Sequence, residues 1–135
     1  MDHKAEGERY LADNAKYPDI MVTASGLQYM VRKQGSGPKP GPNATVEVNY
    51  YGTFINNKEF DSTYRGDPAI LSLNDVIAGW QEGIQLMPVG SVYKFYIPHE
   101  LAYGADGYED IIPPYAALIF EIELLNITAP ESESD

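Results

Sequence analysis

The sequence contains no cysteine and only two histidines among its 135 residues. The absence of cysteine excludes disulfide bonds, thiolate zinc sites, iron–sulfur centres and cysteine nucleophiles. The histidines, His3 and His99, lie far apart, and the chain has no His-Glu-x-x-His motif, Gly-x-Ser-x-Gly motif or phosphate-binding loop. The usual residues of acid–base, nucleophilic and metal catalysis are therefore missing, and we predict neither a metal nor a cofactor.

Basic residues are scarce: the chain has nine lysines and arginines but 20 aspartates and glutamates. Its formal net charge is therefore −11 at pH 7. Such a surface repels nucleic-acid phosphates and anionic lipids, so neither nucleic acid nor a membrane is an expected partner. No apolar run approaches the roughly 20 residues of a transmembrane helix. Residues 1–20 also lack the basic and apolar regions of a signal peptide. This predicts a cytoplasmic protein, or a periplasmic one whose export signal has been removed.

Hydrophobic residues make up 44% of the chain, an ordinary proportion for a globular protein. A chain of this length forms one domain and buries about two-thirds of its unfolded surface. We divide it into an N-terminal helical extension (residues 1–20), one folded domain (residues 21–128) and an acidic tail that we expect to be disordered (residues 129–135).

Two helices are predicted from composition and apolar spacing. Residues 5–16 are helix-compatible and end before Pro18, which stops a helix. A second helix is predicted over residues 76–86, because apolar residues recur there on one side. Asn74 or Asp75 is its predicted cap.

Five segments are predicted to be strands because they alternate in polarity or are rich in β-branched and aromatic residues. They follow one another through turns rather than through alternating helices, which is typical of an α+β fold. We therefore predict a curved antiparallel sheet of about five strands wrapped around one central helix, with a short N-terminal helix. The predicted strands cover residues 27–34, 45–51, 70–73, 92–97 and 118–127.

Six short motifs occur in a fixed order along the chain. They are Tyr50-Tyr51-Gly52, Phe60-Asp61-Ser62, Val76-Ile77-Ala78-Gly79-Trp80, Leu101-Ala102-Tyr103-Gly104, Ile111-Ile112-Pro113-Pro114 and Phe120-Glu121-Ile122-Glu123-Leu124-Leu125. In this order they closely resemble the FKBP-type peptidyl-prolyl cis/trans isomerases, over roughly residues 25–127. Residues 8–16 and 23–29 are similar to the bacterial macrophage-infectivity-potentiator branch of that family.

Each motif taken alone has an ordinary structural explanation. Trp80 on an apolar helix face is typical of a core residue, and Asp61 is typical of a turn or a cap. The Ile111–Pro114 motif is typical of a rigid surface turn. Only the joint order of the motifs favours a binding cavity.

The resemblance implies that substrate binds in an apolar cavity between helix and sheet, with Trp80 as its floor. It implies three catalytic groups: the polar side chains of Asp61 and Tyr103, and the backbone N–H of Ile77, which would meet a substrate carbonyl. The remaining implied substrate-binding residues are Tyr50, Phe60, Val76, Trp80, Tyr108, Ile112 and Phe120.

The implied activity is rotation about Xaa–Pro bonds, which assists protein folding and involves no proton transfer. The implied partners are proline-containing polypeptides and, as inhibitors, macrolides such as tacrolimus and rapamycin. Two alternatives remain: a proline-peptide binding module with chaperone-like protection and incidental catalysis, and a structural protein with an unused fold.

Two departures from the family pattern bear on specificity. Leu71 stands where the family often has phenylalanine, so one cavity wall is less aromatic, which bears on macrolide affinity more than on activity. Glu109 and Asp110 follow Tyr108 at the tip of the loop beside the cavity, where many relatives are glycine-rich or carry a histidine. We expect these carboxylates to favour substrates with basic residues near the proline.

Overall fold

A computed structural model of the chain describes residues 2–129, with Ala129 described by its backbone alone. Within that range the chain forms two α-helices and seven strands, with three short 3₁₀ helices between them. The helices are α1 (His3–Asn14) and α2 (Ala78–Ile84), and the 3₁₀ helices are Leu73–Asp75, His99–Leu101 and Gly104–Asp106. The strands are β1 (Met21–Val22), β2 (Gln28–Lys33), β3 (Thr45–Phe54), β4 (Glu59–Ser62), β5 (Ala69–Ser72), β6 (Val92–Ile97) and β7 (Leu118–Ala129).

The strands form one antiparallel sheet in the order β1-β2-β6-β7-β3-β4, and β5 also pairs with β3. The predicted α+β fold class is confirmed. Every predicted strand is present, within three residues at either end. The two further strands are short: β1 has two residues and β4 has four. β1 is too short to show an alternation of polarity, and β4 contains a single apolar residue, Phe60, so neither shows a strand pattern.

The central strand β7 shows why the core forms on one face of the sheet. Leu118, Phe120, Ile122 and Leu124 are buried, at every second position of the strand. Side chains alternate between the faces of a strand, so these four point to the same side. Helix α2 packs there, and a Cβ on Gly83 would lie only 2.5 Å from Cε1 of Phe95. Only glycine allows helix and sheet to approach this closely.

Helix α2 begins later than predicted and is not capped as predicted. Leu73–Asp75 is a separate 3₁₀ helix, whose cap is Ser72, with Oγ accepting from the Asn74 N–H at 3.3 Å. Ile77 directly precedes α2 in an extended conformation, and no side chain caps the helix. The predicted cap at Asn74 or Asp75 is therefore wrong, because extended backbone at residues 76–77 separates them from α2.

Helix α1 is held against the sheet by a pair of buried amide side chains. Asn14 Nδ2 donates to Gln28 Oε1 at 2.9 Å, and Gln28 Nε2 donates to the Leu11 carbonyl at 2.9 Å. The side chain of Asp2 caps the helix by accepting from the Ala5 N–H at 3.0 Å. The helix thus begins and ends two residues earlier than predicted.

The chain ends bear on two further expectations. Strand β7 runs to Ala129, so it enters the predicted acidic tail by one residue, and residues 130–135 lie outside the described residues. The division of the chain at residue 20 stays a prediction. Neither described helix has the length and apolar character needed to cross a membrane.

Candidate functional site

A cavity of about 650 Å³ lies between α2, the sheet and the loop before β7. All ten predicted site residues line it, although they come from segments between residues 50 and 120. The structure brings together Tyr50, Phe60, Asp61, Val76, Ile77, Trp80, Tyr103, Tyr108, Ile112 and Phe120. The lining also includes Leu71, Asp75 and Ile111, which were not among the predicted site residues.

Aromatic rings packed edge to face form the inner end of the cavity. The ring centroids of Trp80 and Phe120 lie 5.0 Å apart at 89°, and those of Tyr50 and Trp80 lie 5.0 Å apart at 79°. Phe60 and Phe120 are 5.4 Å apart at 85°. Such contacts between rings are favourable and fix the orientation of each ring. The cavity therefore has a firm apolar floor.

Trp80 carries an exceptional polar atom in this floor. Its side chain is buried, and its indole Nε1 has no hydrogen-bond partner within residues 2–129. A buried N–H without an acceptor is rare, because leaving it unpaired costs about 1–3 kcal/mol.

Asp61 and Tyr50 form the hydrogen-bonded pair of the site. The Tyr50 hydroxyl donates to Asp61 Oδ2 at 2.8 Å, and the Ser62 N–H donates to Asp61 Oδ1 at 2.9 Å. Both carboxylate oxygens are therefore held. Burial, followed by the hydrogen bond to Asp61 and its charge, raises the pKa of Tyr50 well above its ordinary value.

Tyr103 and Tyr108 supply two further phenols of the cavity. The ring of Tyr103 lies 5.2 Å from that of Tyr108, at an angle of 34°. Burial is the largest cause that raises the pKa of Tyr103, followed by Tyr108 and the Asp61 carboxylate. Tyr103 therefore stays a neutral hydroxyl that can donate a hydrogen bond at physiological pH.

A tight turn places Tyr108 and Ile112 side by side at the cavity. The Tyr108 N–H donates to the Ile112 carbonyl at 2.8 Å, and the Ile112 N–H donates to the Tyr108 carbonyl at 3.0 Å. Gly107 begins this turn with φ of 65°, and a Cβ there would lie 2.3 Å from the Ile112 carbonyl oxygen. Glu109 and Asp110 form the exposed tip.

Asp75 and Ile111 are the cavity residues that the sequence reasoning missed. Asp75 had been interpreted only as a helix cap, although it directly precedes the Val76–Trp80 motif. Ile111 belongs to the Ile111–Pro114 motif but is not one of the ten predicted site residues, and it is 48% exposed. The available signal was adjacency to a motif for Asp75 and membership of a motif for Ile111.

The cavity lining offers apolar surface and hydrogen-bonding groups to a ligand. Its lining includes neither histidine, cysteine nor lysine. Within the described residues, no group of three or more histidine, cysteine, aspartate or glutamate side chains could hold a metal ion. The arrangement provides an apolar surface, three phenols and two carboxylates, of which that of Asp61 is held by hydrogen bonds.

Comparison with known proteins identifies the same family over most of the chain. A family model for the FKBP-type peptidyl-prolyl cis-trans isomerase matches residues 37–125, and one for the domain amino-terminal to it matches residues 1–31. A crystal structure of a peptidyl-prolyl cis-trans isomerase from Pseudomonas syringae pv. tomato matches with a TM-score of 0.88 at 35% identity, covering 93% of this chain and 92% of that one.

Two curated proteins show the bacterial branch. The chain is 48% identical over 136 residues to the FKBP-type peptidyl-prolyl cis-trans isomerase FkpA of Aeromonas hydrophila, over 100% of this chain and 50% of that protein. It is 43% identical over 127 residues to the outer membrane protein MIP of Legionella longbeachae, over 93% and 54% of the two chains. The chain thus spans about half the length of these curated relatives.

The motifs, the fold and these matches agree, and they confirm the resemblance to the macrophage-infectivity-potentiator-like branch. The chain belongs to the family of FKBP-type peptidyl-prolyl cis-trans isomerases.

Proposed function

We propose that this chain is a peptidyl-prolyl cis/trans isomerase that assists protein folding by accelerating rotation about Xaa–Pro bonds in polypeptides. The observation that carries the proposal is the aromatic cavity floored by Trp80, with the hydrogen-bonded Asp61–Tyr50 pair at its side. A prolyl ring is apolar and flat enough to lie against such a floor.

The proposed mechanism needs no acid, base or metal. Resonance makes the C–N bond resist rotation, with a barrier of about 18–20 kcal/mol, and Xaa–Pro bonds interconvert only over tens to hundreds of seconds. Resonance also places negative charge on the carbonyl oxygen, which water stabilises. Twisting removes the resonance and makes the amide less polar. A water-poor aromatic cavity therefore favours the twisted form relative to the planar one.

In this proposal, three groups stabilise the twisted substrate. The N–H of Ile77, directly before α2, and the Tyr103 hydroxyl donate to substrate carbonyls and hold the chain in position. The Asp61 carboxylate fixes the Tyr50 hydroxyl, and its negative charge, when it faces the carbonyl oxygen of the substrate amide, disfavours the charge-separated planar form. The remaining predicted side chains enclose the prolyl ring.

The test of the proposal is direct measurement of prolyl exchange. Purified protein is added at catalytic concentration to a short Xaa–Pro peptide, and cis-to-trans conversion is followed by NMR exchange or by a protease-coupled assay. We expect relaxation in seconds or less, against tens to hundreds of seconds in buffer. Relaxation as slow as in buffer would reject the proposal.

The rate is expected to be independent of pH between pH 6 and 8. The raised pKa of Tyr50 and of Tyr103 lies above this range, so both hydroxyls stay protonated throughout. Histidine, whose ordinary pKa falls in the range, is absent from the cavity lining. We predict kcat/KM values that agree within about twofold across the range. A bell-shaped profile would contradict the mechanism.

The exposed tip of the loop is proposed to select substrates by charge. Glu109 and Asp110 lie next to Tyr108 of the cavity. An exposed ion pair contributes about 0.2–1 kcal/mol to the free energy of binding. A peptide with lysine beside the proline should therefore have a kcat/KM up to about fivefold higher than one with glutamate there. We expect the preference to fall in high salt and to vanish when Glu109→Gln and Asp110→Asn are combined. Equal turnover of both peptides by the unsubstituted protein in low salt would refute this selection.

Macrolide binding is proposed to occur, but to be limited by Leu71. This side chain lines the cavity where the family often has an aromatic ring. The apolar cavity supports binding of tacrolimus or rapamycin, and Leu71→Phe should tighten it by supplying a flat wall. Inhibition of the exchange assay by rapamycin, compared between the two proteins, tests this point.

A location in the cell envelope is also proposed, in preference to the cytoplasm. The support is that the Legionella longbeachae relative is named an outer membrane protein. The acidic surface argues against direct membrane association. Fractionation of cells that express the protein from its native gene tests the location, since recovery in the cytoplasmic fraction would refute it.

A further inference from the structure

A second cavity, of about 710 Å³, lies between α1 and the loops at residues 54–58 and 111–117. We call it the helix groove. Its apolar lining consists of Phe54, Ile55, Ile111, Pro113, Ala116 and Ala117. It is as large as the cavity described above, and no step of the proposed mechanism uses it.

The helix groove adjoins the active-site cavity. Ile111 lines both cavities and is 48% exposed. Phe54 of the groove packs against Phe60 of the active-site cavity, with ring centroids 4.8 Å apart. Pro113 of the groove follows Ile112 of the cavity in the chain. A single layer of side chains therefore separates the two spaces.

The polar rim of the helix groove carries both signs of charge. Glu6, Arg9 and Asp13 of α1 lie on one side, and Lys58 lies on the other. Residues at this spacing share one face of a helix, so α1 presents them together. The apolar floor can hold an apolar side chain, and the charged rim can bind the polar backbone on either side of it. This combination suits a polypeptide ligand.

We infer that the helix groove binds the part of the substrate polypeptide that extends beyond the proline, and that it accepts a large apolar side chain there. A chain too long for the active-site cavity must leave across its rim, and at Ile111 that rim borders the groove. Burial of an apolar side chain on this floor removes apolar surface from water. The inference rests on the proposed isomerase function.

The test compares a four-residue Xaa–Pro peptide with a set of twelve-residue peptides that contain the same four residues. Each long peptide carries one phenylalanine, at successive positions on either side of the proline, among serines and glycines. We expect the KM to fall about fivefold at one position outside the four central residues. The kcat should stay unchanged, because contacts made equally in the ground and transition states alter only KM.

Two variants separate the groove from general effects. Ile55→Ser removes part of the floor, and we expect it to raise the KM of the best long peptide to that of the short one. Val22→Ser is the matched control, since Val22 is an exposed aliphatic residue that lines neither cavity. We expect this control to keep the advantage of the long peptide.

A measurement on the unsubstituted protein covers the case in which Ile55→Ser does not fold. Amide resonances of Glu6–Asp13 should shift with the best long peptide and not with the short one. Equal KM values for all peptides, with α1 unperturbed, would overturn the inference while leaving the isomerase function intact. Failure to turn over even the short peptide would overturn both.

Discussion

Replacing Asp61 by alanine is expected to lower kcat/KM for a short Xaa–Pro peptide by about ten- to hundredfold. The substitution removes the carboxylate that accepts from the Tyr50 hydroxyl at 2.8 Å. Hydrogen bonds to a charged group contribute about 1.5–3 kcal/mol, and 1.4 kcal/mol corresponds to a factor of ten in rate. The measurement is the initial rate of cis-to-trans conversion in the protease-coupled assay, at several substrate concentrations.

The matched control is Asp75→Ala, because Asp75 is another carboxylate in the lining of the same cavity. We expect it to change kcat/KM by less than about threefold because, within residues 2–129, no other cavity side chain donates a hydrogen bond to the Asp75 carboxylate, whereas Tyr50 donates to Asp61. Peptide affinity retained by Asp61→Ala, together with lost turnover, would separate catalysis from binding and argue against a pure binding module. A natively folded Asp61→Ala protein with full activity would remove Asp61 from the mechanism.

Replacing Phe95 by alanine is expected to reduce the free energy of unfolding by about 3–5 kcal/mol. Phe95 is 1% exposed and lies under Gly83 of α2. Its ring centroid is also 6.0 Å from that of Tyr93 and 6.1 Å from that of Tyr29. Alanine would leave a cavity where helix and sheet meet, and we expect Tm to fall by about 10–15 °C. Urea denaturation and a thermal melt measure the two quantities.

Phe95→Leu serves as the control for the loss of aromatic character alone. Leucine fills most of the space, so we expect a loss below about 1.5 kcal/mol. If the free energy of unfolding of Phe95→Ala lay within 1 kcal/mol of that of the unsubstituted protein, α2 would have moved onto the sheet and filled the cavity. The close approach at Gly83 would then not govern stability.

The predictions from sequence succeeded where local patterns determine the structure. The strands at residues 92–97 and 118–129 are long and rich in β-branched and aromatic residues, so their composition marks them clearly. The cap of α2 was mispredicted because Asn74 and Asp75 have good capping side chains, and local propensity does not show that Val76 and Ile77 are extended. Tertiary contacts decide that conformation.

The candidate site depended on the order of several motifs rather than on any one residue. Trp80, Phe60 and Phe120 would each be core residues by composition alone, and their T-shaped contacts exist only once strands β3, β4 and β7 meet α2. The helix groove gave no signal in the sequence. Its two sides, α1 and the loops at residues 54–58 and 111–117, are far apart in the chain.

The short strands at the two edges of the sheet have a consequence for how the protein meets other extended chains. At one edge, β1 has two residues and leaves four residues of β2 (residues 30–33) beyond its pairing; at the other edge, β4 and β5 have four residues each. Long exposed edges recruit extended polypeptides into non-native pairing, and brief ones resist it. An enzyme with the proposed function would bind extended polypeptides, and these short edges disfavour their pairing with its own backbone.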